Sequence, residues 1–239
     1  FNSGTVGTTG KGIGPCYVDK YNRTGSRIYN CIEPELLKYA SIVDEDFILQ
    51  HLKDGKKVLA EGAQGFNLDV DYGDYPYVTS SNCTASASLV GLGLPPIKPK
   101  AVYGVFKAYD TRVGGGDLQF PVEEPLEQFI RDKGNEYGAT TGRPRKIGWL
   151  NLDKLSTAVK MNGVDCLVLT KSDVLCGVEI VKFVYGGNLY RTKGWEHIDS
   201  DSFNEFLDTI VFYTGCKDIA VSSGPKEHDW YIPINRKFL

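Results

Sequence analysis

The sequence lacks several features that would have placed it at once. No stretch approaches the ~18 consecutive apolar residues of a membrane span, so a helical membrane protein is excluded from the reading. No C-x-x-C pair occurs: the six cysteines, Cys16, Cys31, Cys83, Cys166, Cys176 and Cys216, are scattered, and Cys166 lies inside an apolar run. A zinc site or a disulfide framework is not expected, and reduced thiols in a cytosolic protein are. The three histidines, His51, His197 and His228, are too far apart in sequence to suggest a metal cluster. Charge of one sign is not in excess either. A net charge of -3 and a pI near 5.7 argue against non-specific nucleic-acid binding as the main role and leave only local basic clusters open. The opening FNSGTVGTTG has neither the basic start nor the apolar run of a signal peptide. It begins at Phe1, so a trimmed or fragmentary chain is expected.

What is present is an α/β alternation. The chain has 239 residues, 41% of them apolar, enough to bury a sizeable core in one large domain or two small ones. Residues 1–32 read as Gly- and Thr-rich loops. PELLKYASIV and DEDFILQHLKDG read as short helices, the second opened by Asp44 and closed by Gly55. KVLAEGAQG is expected to be a buried strand running into a turn, and a helix is expected near Ala85 to Val90. AVYGVFKAY is the next strand, EPLEQFIRDKG a helix ending at Gly134, and LDKLSTAVKMNG an amphipathic helix stopping at Gly163. VDCLVLTKSD is a strand, and VEIVKFVYGGNLYRT a hairpin turning at Gly186-Gly187. DSFNEFLDTIVFYTG is a helix with Asp201 as its N-cap and Gly215 at its end. KDIAVSSGP is a last strand and loop. Polar, Gly-rich segments follow the strands, the pattern of an open, mostly parallel sheet with its site at the strand carboxyl ends.

Five constellations carry chemistry. Thr170-Lys171-Ser172-Asp173 follows an apolar strand. Guanine presents two adjacent donors, N1–H and the 2-amino group, and a carboxylate accepts both. Adenine offers an acceptor at N1 and no 2-amino group, so Asp173 would discriminate strongly between them. The stem of Lys171 can cover a flat base. On its own the tetrad reads equally as a strand end with two solvated charges. SSGP, Ser222 to Pro225, is a small-residue loop that a base can approach closely, or an ordinary Gly-Pro turn. GTTGKGIGP, Gly7 to Pro15, lacks the G-x-x-x-x-G-K-[ST] spacing and a preceding strand, so it is no Walker loop, though it can clamp a phosphate. Lys20, Arg23 and Arg27 follow as candidate anion partners, or as a solvated basic face. ATTGRPRK, Ala139 to Lys146, offers hydroxyls and planar guanidinium forks suited to a dicarboxylate, and could also be a basic surface loop. Gln64 in AEGAQG and Thr79 in YPYVTSSN complete the set. The Gln64 amide can pair with a purine edge or merely cap its loop.

In this order the segments GTTGKGIGP, EGAQG, YPYVTSSN, KAYDTRVGGG, GNEYGATTGRPRKIGW, LTKSDVLCG and SSGP resemble the adenylosuccinate synthetases over nearly the whole chain. The resemblance implies an α/β fold, a mostly parallel central sheet flanked by helices of the P-loop-NTPase-like kind, as one domain over 1–239. It implies GTP-dependent ligation of IMP and L-aspartate to adenylosuccinate through a 6-phosphoryl intermediate, with Mg²⁺, in a cytoplasmic homodimer that uses neither nucleic acid nor membrane. Thr9, Arg23, Gln64, Thr79 and Val113 match IMP contacts, with Arg23 reaching the partner's site. Thr140, Thr141 and Arg143 match the aspartate loop. Arg145, Lys171, Asp173, Ser222, Gly224 and Pro225 match GTP contacts. The family's phosphate loop, catalytic aspartate and histidine, and Mg²⁺ ligands belong to an earlier segment. No catalytic or metal residue is therefore assigned here, and the chain alone is expected to be inactive. The stretch between Arg27 and Lys56 is short, as in compact archaeal and viral forms. That raises one alternative, the viral relative that acts on dGMP; a second, of another class, is a truncated, non-catalytic guanine-nucleotide or IMP-binding paralogue.

Overall fold

The computed structural model of the chain describes residues 6–7, 10–140, 142–226 and 229–231. Two compact units emerge: Gly10–Pro99, and Phe1–Thr9 together with Lys100–Leu239.

Within Gly10–Pro99 the helices are α1 (Ile13–Asn22), α2 (Ile28–Cys31), α3 (Phe47–Lys53) and α4 (Ala85–Gly91). Helices α1 and α2 replace the loops expected over 1–32. Pro15 sits in the first turn of α1, where its missing N–H costs nothing. Arg23 ends the helix in a left-handed conformation, φ 64°. Helix α3 begins after Asp46 rather than at Asp44, and Gly55 follows it at φ 75°. The PELLKYASIV segment forms only a short 3-10 turn, Leu36–Lys38. The strand expected in KVLAEGAQG is not formed. Leu59 is 89% exposed, and no backbone hydrogen bond joins residues 57–64 to any described residue. An apolar, β-prone run stays unpaired when no neighbouring strand offers its donors and acceptors. Asp69 is the one buried residue of this unit.

The larger unit holds two four-stranded sheets. The first contains β1 (Tyr103–Lys107), which pairs in parallel with a later strand, Cys166–Thr170. After Ala108 the chain leaves that sheet as β2 (Tyr109–Arg112), antiparallel to β3 (Lys146–Asn151) of the second. The sequence read β1 and β2 as one strand. The transfer is made at Ala108, fully buried, whose N–H gives the first sheet its last bond, 3.0 Å to the Thr170 carbonyl. Cys166–Thr170 is β4, flanked on its other side by parallel β7 (Asp218–Ser222), which pairs with the short antiparallel β8 (Trp230–Tyr231). The hairpin β5 (Ile180–Tyr185) and β6 (Asn188–Lys193) completes the second sheet beside β3. The expected parallel sheet is thus β1-β4-β7, and the second sheet is mixed.

The helices are α5 (Leu126–Lys133), α6 (Leu152–Asn162) and α7 (Asp201–Thr214). Asn151 caps α6 by accepting from the Lys154 N–H at 3.0 Å, and Gly163 ends it at φ 60°. The cap of α7 is Ser200, not Asp201, which occupies the first turn. Gly186 and Gly187 turn the hairpin at φ 56° and 71°, as a two-residue loop of this twist requires. Asp153 of α6 accepts from both of their N–H groups, at 3.0 and 3.2 Å. The core joins Leu167 and Leu169 of β4, Ile219 and Val221 of β7, and Phe203, Phe206, Leu207 and Ile210 of α7. Each such side chain contributes about 1.5–3 kcal/mol by leaving water. That core makes the carboxyl ends of β4 and β7 a rigid rim.

Candidate functional site

The rim carries the base-reading candidates together. Strands β4 and β7 run in register, Leu169 beside Val221, so Thr170-Lys171-Ser172-Asp173 and Ser222-Ser223-Gly224-Pro225 leave the sheet side by side. Ser172 is fully buried and ties the loops through its hydroxyl, 3.4 Å from the Ser222 carbonyl. The Trp195 indole N–H donates to the Ser172 carbonyl at 3.0 Å. Lys171 takes a left-handed φ of 61°, and its ammonium donates to the Gly134 carbonyl at 2.9 Å. The lysine stem is thereby fixed across the rim. Asp173 is half-buried at the start of a 3-10 turn, and no described residue hydrogen-bonds its carboxylate. Ser222 donates to the Gly224 carbonyl at 2.9 Å. A Cβ on Gly224 would lie 2.5 Å from the Asp229 carboxylate, so any larger residue there would have to displace that side chain.

Arg145 lies on the same unit. One nitrogen donates to Glu136 at 2.6 Å, and the side chain remains 28% exposed. Glu136 is fully buried and also accepts from the Lys107 ammonium, at 2.7 and 2.8 Å, and from the Tyr109 hydroxyl at 2.8 Å. Burial alone would raise the Glu136 carboxyl. Lys107, Tyr109 and Arg145 outweigh it and hold the group below its ordinary value. Burial, against the pull of Glu136, draws Lys107 down, and burial with the adjacent carboxylate pushes the Tyr109 phenol up.

Between Glu136 and Arg145 the chain makes a projecting loop closed by a Tyr137–Pro144 bridge and a 2.8 Å bond from the Gly138 N–H to the Arg143 carbonyl. Thr140 is exposed near its tip, and Arg143 is half-buried on its return arm. Val113 is exposed after β2. Beside it, Gly115 donates to the Val6 carbonyl at 3.0 Å, and a Cβ on Gly7 would lie 3.1 Å from Gly114 and 3.5 Å from the Arg143 guanidinium. Val6 and Gly7 therefore meet the loop after Val113 and the Arg143 side chain. Thr9 and Thr141 lie outside the described residues.

Arg23, Gln64 and Thr79 belong to the smaller unit. Arg23 is exposed, and Gln64 is held at φ 61° on its turn. Thr79 is set by a 2.8 Å bond from its N–H to the Leu68 carbonyl, inside a loop organised by Asp69. That carboxylate accepts from the N–H groups of Asp71 (2.9 Å), Tyr72 (3.1 Å) and Cys83 (2.5 Å) and from the Asn82 amide (3.3 Å). Burial works to raise the Asp69 carboxyl, but these donors prevail and lower it from 3.8. Its stabilisation is thus present in full above that ordinary value and disappears as pH falls through the lowered one. Asp69→Asn should lower the melting temperature at pH 7, and the gap to wild type should close as pH drops below 3.8. Equal melting at pH 7 would show that Asp69 does not organise the loop.

Sequence reasoning did not single out Asp69, Lys107, Tyr109 or Glu136. The available signals were a lysine interrupting an apolar strand and one acid within a run of basic residues.

A parallel α/β unit whose charged loops gather beyond adjacent strand ends defines the class: an α/β protein with its site at the sheet rim. The chain belongs to the adenylosuccinate synthetase family, whose sequence profile matches residues 2–41 and 37–210. An adenylosuccinate synthetase of Thermodesulfovibrio yellowstonii is 42% identical over 221 residues, 76% of this chain and 52% of its own. One from Salinibacter ruber is 36% identical over 292 aligned residues, 92% of this chain and 66% of its own. A fully ligated adenylosuccinate synthetase structure from Plasmodium falciparum superposes with a TM-score of 0.86 at 30% identity, covering 95% of this chain and 70% of that one. The succinoaminodeoxyadenylate synthetase of cyanophage S-2L, solved with dGMP and dATP, gives 0.64 at 24% identity over 93% and 60% of the two chains, a likeness of fold alone. The chain spans about half to two thirds of the length of the curated relatives. The two profile stretches meet at 37–41, inside the short segment between Arg27 and Lys56.

Proposed function

We propose that this chain carries the base-, aspartate- and IMP-binding loops of a GTP-dependent ligase that joins IMP to L-aspartate and yields adenylosuccinate in the cytoplasm. The observation that carries the reading is the half-buried Asp173 carboxylate, free of donors from any described residue, beside the fixed stem of Lys171 and the tight Ser222–Pro225 loop. In this reading Asp173 accepts the N1–H and 2-amino group of guanine, Lys171 covers the base, and Ser222, Gly224 and Pro225 close its edge. Arg145 meets the nucleotide phosphates. Thr140, Thr141 and Arg143 take the aspartate carboxylates. Thr9, Gln64, Thr79 and Val113 serve IMP, and Arg23 serves it from the second subunit of a homodimer.

Transfer of the γ-phosphoryl to O6 of the purine turns a poor leaving group into a good one, which the amine of aspartate displaces. The ligase uses Mg²⁺ in this reading. No group of three or more His, Cys, Asp or Glu that could hold a metal lies among the described residues, and no residue is assigned to the ion. No step is assigned through the ion. The direct test is calorimetric titration of the chain with GTP and with ATP. Preference for GTP is the expected result, and equal affinity would overturn the guanine reading.

A further inference from the structure

We propose that Glu136 is a positioning residue for the nucleotide phosphates, acting through Arg145. The inference rests on the GTP reading above.

An isolated buried carboxylate is costly, and replacing a buried ion pair by apolar groups often stabilises a protein. A fully buried Glu136 with four bonds from three partners therefore calls for a reason beyond packing. Its two oxygens offer about four acceptor positions, and Lys107, Tyr109 and Arg145 fill them. Two cations face one anion, so one positive charge is left over. Lys107 has no donor to spare, since it gives two bonds to Glu136 and one to the Thr111 hydroxyl at 3.1 Å. Arg145 spends one nitrogen on Glu136, and no other described acceptor meets its guanidinium. With about five N–H donors in a planar fork, it holds both the surplus charge and the unused donors. Its backbone is pinned as well. The Arg145 N–H donates to the Glu136 carbonyl at 2.9 Å, and Arg131 donates to the Arg145 carbonyl at 3.0 Å. Glu136 thus aims a cation that is free to meet an anion.

The same loop serves the base reader. Gly134 accepts from Lys171, two residues before Glu136. A Cβ there would lie 2.5 Å from the Tyr109 hydroxyl and 2.8 Å from the Ile130 carbonyl, so the loop sits directly on the Tyr109–Glu136 pair. Lys171 and Arg145 are therefore set by opposite ends of residues 134–136.

The test compares guanosine, which engages only the base reader, with GTP. Binding of both is measured by calorimetry in wild type, Glu136→Gln, Arg145→Met and the double variant, with thermal melts alongside. Glu136→Gln should cut GTP affinity by about tenfold or more, the scale of a lost charged hydrogen bond, and leave guanosine affinity within about twofold. In the Arg145→Met background it should cost nothing further. A loss shared equally by guanosine and GTP, or an undiminished loss in the Arg145→Met background, would mean that Glu136 is only structural. If Glu136→Gln does not fold, Arg145→Lys decides: it keeps the charge but not the fork, and retention of the full advantage of GTP over guanosine would overturn the proposal. Wild type that binds GTP no better than ATP would overturn the underlying reading instead.

Discussion

Asp173→Asn should abolish the preference for GTP over ATP and transfer it to xanthosine triphosphate. Guanine offers N1–H and a 2-amino group to the carboxylate, two donors to two acceptors. An asparagine amide at the same place accepts one bond and turns its own N–H toward the other donor. Xanthine keeps N1–H but carries a carbonyl at position 2, which matches the amide. A site built around hydrogen-bonding groups rejects a mismatched partner severely, and about a hundredfold loss of GTP affinity is expected. The substitution preserves shape, and no described residue bonds the carboxylate, so the melting temperature should be unchanged. Titration of wild type and variant with GTP, ATP and xanthosine triphosphate reads the effect. A variant that still favours GTP would remove Asp173 from base recognition and the guanine reading with it.

What the sequence disclosed was mainly local. The end of β4 and the tetrad after it were legible because an apolar run meets a polar loop there. Helix α6 and the β5–β6 hairpin were legible because Gly163 and Gly186-Gly187 must adopt left-handed conformations that few other residues accept. Helix α1 was hidden by its glycine-rich approach and by a face that buries no residue. The KVLAEGAQG segment has the composition of a strand, but pairing is a tertiary event that composition cannot guarantee. The division of AVYGVFKAY between two sheets turns on one residue, Ala108, whose N–H bonds a strand from a distant part of the chain. Candidate site residues were visible where family blocks marked them. Glu136 was not, because an acid within GNEYGATTGRPRK looks like one more solvated charge until Lys107 and Tyr109 are seen to converge on it.

The largest loss of stability should come from Gly194→Ala. A Cβ at this position would overlap the Val178 carbonyl oxygen and sit 2.8 Å from its carbon, and both are backbone atoms that cannot rotate away. The two segments are held together there by the Gly194 N–H bond to the Glu179 carbonyl and the Gly177 N–H bond to the Trp195 carbonyl, each 2.9 Å. The Gly194 carbonyl is also fixed, accepting from the Ser202 hydroxyl at 2.8 Å. Relief must therefore come from moving Trp195, which is almost fully buried with its ring centroid 5.1 and 5.0 Å from those of Phe203 and Phe206. Overpacking of this kind costs about 3 kcal/mol, which lowers the melting temperature of a chain this size by roughly 10 °C. The same displacement reaches the rim, because the Trp195 indole holds the Ser172 carbonyl between Lys171 and Asp173. GTP affinity should therefore fall with stability, unlike in Asp173→Asn, where affinity falls alone. Melting curves and GTP titrations of Gly194→Ala read both effects. A melting temperature within about 2 °C of wild type, less than about 1 kcal/mol on the same scale, would mean that the chain yields at this crossing. The packing of Trp195 would then not be what holds the tetrad in place.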